Sequence, residues 1–201
     1  MTPLLNLFFA GGYVMWPILL ASIITVAIAV ERYRFYKKSR CNLMVLRTKL
    51  PLLMHTGKIT EAKALCQKAG GLLGSALTEV IDNNHTSVNI ADYLDGSLTQ
   101  AASNIRANLN YLSAIVTLSP LLGLLGTVTG MINAFDVLSI ADGQPFAITG
   151  GVAEALIATA FGLFVAILAL MVHVWLSQIA NQLITDIETG VNLFLASCKG
   201  S

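Results

Sequence analysis

Three long apolar stretches dominate the pattern of hydrophobic and polar positions along the chain. They cover about residues 13–30, 112–138 and 150–176. Each has the length of roughly 20 mostly apolar residues that a helix needs to cross a bilayer core about 30 Å thick. The pattern therefore predicts an all-α membrane protein with three transmembrane helices.

The position of the basic residues predicts the orientation. Every Lys and Arg except Lys199 lies between Arg32 and Arg106, and residues 1–12 carry no charged side chain. Basic segments stay on the cytoplasmic side, so the N-terminus is predicted to lie outside and the C-terminus inside. Because the basic cluster follows the first apolar stretch, a retained anchor is favoured over a cleavable signal peptide.

This topology predicts four segments. Residues 1–30 form a periplasmic N-terminus and the first span, and residues 31–111 form a cytoplasmic helical region. Residues 112–176 form a transmembrane hairpin with an outer loop at about 139–149, and residues 177–201 form a cytoplasmic C-terminal helix. Two spans joined by so short a loop must run antiparallel.

The polar segments are also expected to be helical. Thr60 is expected to cap a helix that Gly70 and Gly71 end, and a second short helix should cover about residues 72–83. From Ile90, apolar residues keep three- and four-residue spacing into the second span, which predicts one unbroken helix to Leu138. The third span should continue inward with one apolar face: Ile179, Leu183, Ile187, Val191 and Phe194. Long cytoplasmic helical extensions of this kind predict helix packing without a separate globular domain.

Composition supports a membrane protein and excludes other classes. Of the 201 residues, 55% are hydrophobic and 11% charged, and the mean hydropathy is +0.72, unlike a soluble domain. Twelve Lys and Arg against eleven Asp and Glu give a net charge of +1, so nucleic-acid binding through a basic surface is not expected. Cys41, Cys66 and Cys198 form no C-x-x-C pair and are expected to be reduced.

Motifs for nucleotide hydrolysis and for catalysis are absent from the sequence. The segment Gly57-Lys58-Ile59-Thr60 lacks the upstream glycine and the spacing of a phosphate-binding loop. There is no H-E-x-x-H or G-x-S-x-G motif and no His, Asp and Glu cluster with metal-ligand spacing. We therefore predict that the protein is not an enzyme and has no metal or cofactor. Any energy source is expected to be an ion gradient.

Small residues form a stripe on each of the last two spans. Spacings of three and four residues place them on one helix face, where they let two helix backbones approach closely. We expect the following residues to pack the two spans together: Pro120, Gly123, Gly126, Gly130, Gly151, Ala155 and Gly162.

Polar residues inside these spans are the candidates for function. Glu154 lies about one turn into an apolar span, where a carboxylate costs a few kcal/mol unless it faces water or a partner. The alternative is that Glu154 reaches the outer interface. Thr127 and Thr159 leave two interpretations open. A membrane threonine can donate its hydroxyl to the carbonyl three or four residues back, or it can line a polar path.

Two segments resemble a known family. Residues 119–131 (SPLLGLLGTVTGM) and 151–163 (GVAEALIATAFGL) resemble the ExbB/TolQ/MotA family of proton-channel subunits, with ExbB and TolQ the most similar branches. The three-span plan and the pair Glu31-Arg32 after the first span are also similar to that family. The resemblance therefore covers nearly the whole chain. Flagellar stators of the MotA type usually carry four spans, which this length does not accommodate.

The resemblance implies a subunit of a bacterial inner-membrane motor that uses the proton motive force to energise a TonB- or TolA-like transducer, for outer-membrane transport or envelope maintenance. It implies a homopentamer around a dimer of an ExbD- or TolR-like single-span subunit. Thr127 and Thr159 match the family's pore-facing threonines, and Glu154 matches its acidic pore residue. The competing hypothesis is a non-conducting membrane scaffold, in which the stripes only pack helices.

Two positions depart from the family pattern. Thr129 stands where many members have a tryptophan, and Leu168 stands where many have a proline. The first adds a hydroxyl near the expected path, and the second should leave the third helix straighter. Both the ExbB and the TolQ branch stay open, as do the transducer and cargo. Sodium remains open as the coupling ion, although the lack of a dense oxygen cluster favours protons.

Overall fold

Helices account for almost all of the part of the chain that the structure describes. The structure is a computed structural model and describes residues 3–39, 46, 48–50, 52–53, 58–82, 87–140 and 146–199. The helices are α1 (Pro3–Ala10), α2 (Met15–Ser39), α3 (Ile59–Ala69), α4 (Gly71–Asp82), α5 (Ser87–Arg106), α6 (Leu109–Ile140) and α7 (Phe146–Lys199). Within these described ranges there is no β-strand. The all-α prediction is confirmed.

Three helical stretches among the described residues are long and apolar enough to cross a membrane: Met15–Ser39, Ile90–Asp136 and Ile148–Ser197. They coincide with the three predicted spans to within two residues at the outer ends, so the protein is a multi-pass membrane protein. Helix covers part of the predicted outer loop at 139–149, because α6 continues to Ile140 and α7 begins at Phe146. Residues 141–145 lie outside the described part of the chain.

The chain divides into two compact units. Unit 1 comprises Met1–Val30 and Asn108–Trp175, and unit 2 comprises Glu31–Ala107 and Leu176–Ser201. The helices α2 and α7 each contribute to both units.

Unit 1 has a core built from α2, α6 and α7. Its buried residues are Ile18, Ala21, Ile115, Val165 and Ala169, with Val14, Val116, Leu122 and Phe161 packed against them. Large apolar side chains on other faces of these helices, such as Leu121, Phe135 and Phe164, are exposed. In water such a surface would be unfavourable, but it suits contact with lipid or with other membrane helices.

Unit 2 is held together by short helices packed against the C-terminal part of α7. The helix α4 contacts α3 and α5, and its Leu73 side chain lies against Gly190 of α7. The buried face of α7 in this unit is formed by Ala180, Leu183, Ile184, Ile187, Val191 and Phe194. This is the predicted apolar face, except that Ile179 is only half-buried.

The short helices lie within about two residues of their predicted positions, but the predicted Thr60 cap is wrong. Lys58 is the N-cap of α3, because its carbonyl already accepts the Ala62 N–H at 3.0 Å and closes the first turn there. Gly70 ends α3 with a φ of 65°, as predicted, and α4 covers Gly71–Asp82. The turn predicted at residues 83–86 lies outside the described residues.

The prediction of one unbroken helix from Ile90 to Leu138 is also wrong. The helix α5 ends at Arg106, α6 begins at Leu109, and Asn108 between them has a left-handed φ of 65°. Asparagine tolerates this conformation better than most residues. Two side chains of α2 also bind the last turn of α5: Arg32 Nη1 donates to the Asn104 carbonyl at 2.9 Å, and the Tyr36 hydroxyl donates to the Ile105 carbonyl at 3.0 Å. In a continuous helix these two carbonyls would accept the N–H groups of residues 108 and 109.

The backbone at Asn108 gives a testable prediction. Asn108→Ala should lower the free energy of unfolding by about 1 kcal/mol, because a left-handed φ is costly for a residue with a Cβ and no local hydrogen bond. Asn108→Gly should not destabilise the protein, since glycine adopts this φ without strain. Thermal unfolding in detergent measures both, with Asn110→Ala in α6 as the control. Equal losses for Asn108→Gly and Asn108→Ala would contradict the backbone explanation.

Candidate functional site

The small-residue stripes of α6 and α7 lie against each other in unit 1. A Cβ atom placed on Gly162 would lie 2.7 Å from the carbonyl oxygen of Ser119 and 2.9 Å from Cα of Gly123. A Cβ on Gly130 would lie 2.9 Å from the carbonyl oxygen of Gly151. These distances are too short for real atoms, so the two backbones are in contact over several turns. Side chains have no room at these positions.

The remaining stripe residues fill the same interface. Gly126 lies directly against the methyl group of Ala158, and a Cβ on Gly130 would lie 3.0 Å from Cβ of Ala155. Ala155 and Ala158 are themselves buried. Pro120 lies inside α6 and is half-buried.

Thr159 joins the two helices through its hydroxyl. Its Oγ1 donates to the carbonyl oxygen of Gly123 on α6 at 3.0 Å and also lies 3.2 Å from the carbonyl oxygen of Ala155 on its own helix. Gly123 makes this contact possible, because a Cβ there would lie 3.1 Å from Cα of Thr159. The interhelix bond was not predicted from the sequence, since spacing along one helix does not give the register between two.

Thr127 donates its hydroxyl within its own helix. Its Oγ1 lies 2.6 Å from the carbonyl oxygen of Leu124, and Thr129 donates in the same way to the carbonyls of Leu125 and Gly126. This is the structural alternative for a membrane threonine. A hydroxyl that donates its proton keeps lone pairs that can accept a hydrogen bond, so a polar path at Thr127 remains open as well.

Glu154 is half-buried on α7 and faces the turn between α1 and α2. A Cβ on Gly12 would overlap Oε1 of Glu154 and lie 2.9 Å from its Cδ, so the carboxyl group rests on the Gly12 backbone. Thr159 follows Glu154 by five positions, which places the two about 140° apart around α7. Within one chain, Glu154 and Thr159 therefore point to different neighbours.

Two buried polar atoms add to the predicted set. Oγ of Ser119 and Nδ1 of His173 have no hydrogen-bond partner within the described part of the chain. Ser119 is fully buried where α6 meets α7. A buried polar atom without a partner costs about 1–3 kcal/mol. Over the same residues, no group of three or more His, Cys, Asp or Glu could hold a metal ion.

The fold and these positions define a class of protein: a multi-pass helical membrane protein with an acidic residue and hydroxyls inside closely packed spans. Residues 65–189 match the MotA/TolQ/ExbB proton channel family. This segment is more than half of the chain and contains Thr127, Glu154 and Thr159. The protein belongs to this family, which confirms the resemblance. The family consists of channel subunits rather than enzymes.

Individual relatives come from both the ExbB and the TolQ branches. The chain is 34% identical over 186 residues to the ExbB-like protein 1 of Synechocystis sp., covering 89% of this chain and 72% of that protein. It is 32% identical over 117 residues to TolQ of the Tol-Pal system of Pseudomonas aeruginosa, covering 58% and 51%. It is 27% identical over 139 residues to the biopolymer transport protein ExbB of Pseudomonas putida, covering 64% and 42%. The matched segments thus span about half of the TolQ and ExbB chains.

Proposed function

We propose that this protein is the proton-channel subunit of an inner-membrane motor that uses the proton motive force to energise a TonB- or TolA-like transducer. The observation that carries the proposal is the half-buried Glu154 inside a closely packed apolar hairpin, within the segment that matches the proton-channel family. An ionisable side chain inside a membrane span costs a few kcal/mol unless it faces water or a partner. The presence of Glu154 at this position therefore indicates a function.

The proposed membrane placement follows the two units. Every Lys and Arg of the chain falls in unit 2, and unit 1 contains none. This distribution supports unit 1 in the bilayer and unit 2 in the cytoplasm, with the N-terminus outside and the C-terminus inside. The target membrane is the bacterial inner membrane, across which the proton motive force acts.

The proposed assembly is a homopentamer around a dimer of an ExbD- or TolR-like single-span subunit. Exposed apolar side chains on α6 and α7 support it, because one chain alone leaves much of this surface unpaired. In this assembly Thr127 and Thr159 line the pore and Glu154 exchanges protons with the partner subunit. Each charge that crosses the membrane releases about 2.3 kcal/mol per 100 mV, enough to rearrange a few helix contacts.

Proton flux in liposomes tests the proposal, using this protein co-expressed with its single-span partner. Thr127→Val removes a hydroxyl at nearly constant size, and Glu154→Gln removes the exchangeable acid. Both should lower the flux about tenfold or more. Thr117→Val is the matched control, since the Thr117 hydroxyl also donates within α6, to the carbonyl of Ser113 at 3.3 Å. It should leave the flux within about a factor of two.

The scaffold hypothesis makes the opposite prediction. If Thr127→Val and Glu154→Gln form complexes of native size and conduct like the native protein, the motor function is wrong and the polar residues serve packing. An assay of energised transport in cells should accompany the flux measurement, because a motor without its transducer can conduct very few protons. Replacing the proton gradient with a sodium gradient in the same liposomes identifies the coupling ion.

A further inference from the structure

The turn between α1 and α2, residues 11–14, lies on one face of α7. A Cβ on Gly11 would lie 3.2 Å from Cγ2 of Ile157, and a Cβ on Gly12 would overlap the carboxyl group of Glu154. Glu154 and Ile157 are three residues apart and therefore neighbours on the same helix face. Two consecutive glycines thus bring the backbone of the turn into direct contact with this face.

The turn is held in place at both ends. The Gly11 N–H donates to the Phe8 carbonyl at the end of α1, and the Met15 N–H donates to the Gly12 carbonyl at the start of α2, each at 3.3 Å. The rings of Phe8 and Trp16 meet edge to face with centroids 5.5 Å apart. Met15 is buried directly after the turn. A displacement of Gly12 would therefore disturb the junction of both helices.

Gly12 meets two separate requirements. Its φ is +71°, a conformation that residues with a Cβ rarely adopt. The space where a Cβ would stand is occupied by the Glu154 carboxyl group. The first requirement concerns the turn alone, whereas the second concerns Glu154. The turn also reaches α6, because a Cβ on Gly126 would lie 3.7 Å from Val14.

We propose that Gly12 is a positioning residue for Glu154: the α1–α2 turn covers the Glu154 carboxyl group and fixes where it lies. This inference rests on the proposed function, in which Glu154 exchanges protons. A side chain at position 12 must push the carboxyl group out of its place or lift the turn from α7. Either change exposes Glu154 and moves it from the geometry in which it exchanges its proton.

The test compares Gly12→Ala with Gly150→Ala in the complex of this protein and its single-span partner. Gly150 lies one turn before Glu154 on α7, and a Cβ there meets nothing within 4 Å. Labelling of Glu154 by the apolar reagent dicyclohexylcarbodiimide, followed by mass spectrometry, reports the exposure of the carboxyl group. Gly12→Ala should raise the labelling rate about fivefold and lower the proton flux, because displacing the carboxyl group or the turn leaves more of the half-buried carboxyl group accessible. Gly150→Ala should change neither.

A double-mutant cycle separates contact from backbone strain. Glu154→Ala removes the overlap but leaves the left-handed φ of residue 12. Gly12→Ala should therefore lower the melting temperature less in the Glu154→Ala background than in the native background. If Gly12→Ala alone does not fold, combining it with Glu154→Asp, whose shorter side chain withdraws the carboxyl group, should restore folding.

Three results would overturn the inference: equal melting losses in both backgrounds, an unchanged labelling rate in Gly12→Ala, or no rescue by Glu154→Asp where Gly12→Ala is unfolded. Labelling and melting do not depend on conduction. If Glu154→Gln conducts normally while Gly12→Ala still raises labelling, the proposed function fails and the positioning of the carboxyl group by Gly12 stands.

Discussion

Gly162→Ala should lower the free energy of unfolding by about 3 kcal/mol, the upper end of the usual cost of an added methyl group in a packed interior. The new Cβ would lie 2.7 Å from the Ser119 carbonyl oxygen and 2.9 Å from Cα of Gly123. These are backbone atoms of α6, so no side-chain rotation can make room. The two helices must separate, which also breaks the hydrogen bond from Thr159 to the Gly123 carbonyl.

Gly150→Ala is the control for this prediction, because it makes the same change in the same helix where a Cβ meets nothing within 4 Å. It should be neutral or should stabilise by up to about 1 kcal/mol, since alanine favours a helix more than glycine does. Denaturant unfolding in detergent, with the monodisperse fraction from gel filtration, measures both variants. If Gly162→Ala and Gly150→Ala have equal stability, close backbone contact does not hold α6 and α7 together.

The spans could be predicted from the sequence because a bilayer sets both their length and their composition. The ends of the helices could not, because a helix does not stop where the membrane does. The first apolar stretch ends near Val30, yet α2 continues through the charge-rich segment 31–38 to Ser39. The helix α7 also continues beyond its span, to Lys199, and there the apolar face from Ile179 to Phe194 did predict the continuation. Its backbone hydrogen bonds are satisfied internally in lipid and in water alike, so only its side chains need to change.

The break at residues 107–108 was missed for a different reason. Ile105, Leu109 and Leu112 keep helical spacing across it, and all three are buried, so the periodicity gives no sign of an interruption. The side chains that bind the end of α5, Arg32 and Tyr36, lie about 70 residues away in sequence. Tertiary contacts of this kind override local pattern.

The candidate site could be predicted only in part, as could the fold. The stripes of Gly123, Gly130 and Gly162 follow from spacing along each helix, because close helix packing requires small residues on one face. The partner of Glu154 does not follow, because Gly12 lies more than 140 residues earlier. A Gly-Gly pair is typical of a turn, but it does not show what the turn touches. The bond between Thr159 and Gly123 depends on the register of α6 against α7, which neither helix specifies alone.

Arg32→Met should lower the free energy of unfolding by about 2 kcal/mol. The substitution removes a nearly buried guanidinium group of α2 that donates to a carbonyl at the end of α5. The Arg32 side chain is only 8% exposed, and its Nη1 donates to the Asn104 carbonyl at 2.9 Å. Methionine retains an apolar chain of similar length, so the loss of unfolding free energy measures the contribution of the guanidinium group. The ion pair with Glu31 contributes little, since Glu31 is 55% exposed. Nε of Arg32 has no hydrogen-bond partner among the described residues. The cost of burying this N–H reduces the net stabilisation that the Arg32 side chain provides.

Arg34→Met is the matched control, because Arg34 lies two residues further along α2 and is exposed. It removes the same charge near the same end of the first span, so both variants change the orientation signal alike. Its unfolding free energy should change by less than about 0.5 kcal/mol. Tyr36→Phe, which removes only the hydroxyl bound to the Ile105 carbonyl, should fall between the two at about 1 kcal/mol. Thermal unfolding in detergent ranks the three variants. Equal losses for Arg32→Met and Arg34→Met would show that positive charge matters here and that binding of the α5 carbonyls does not.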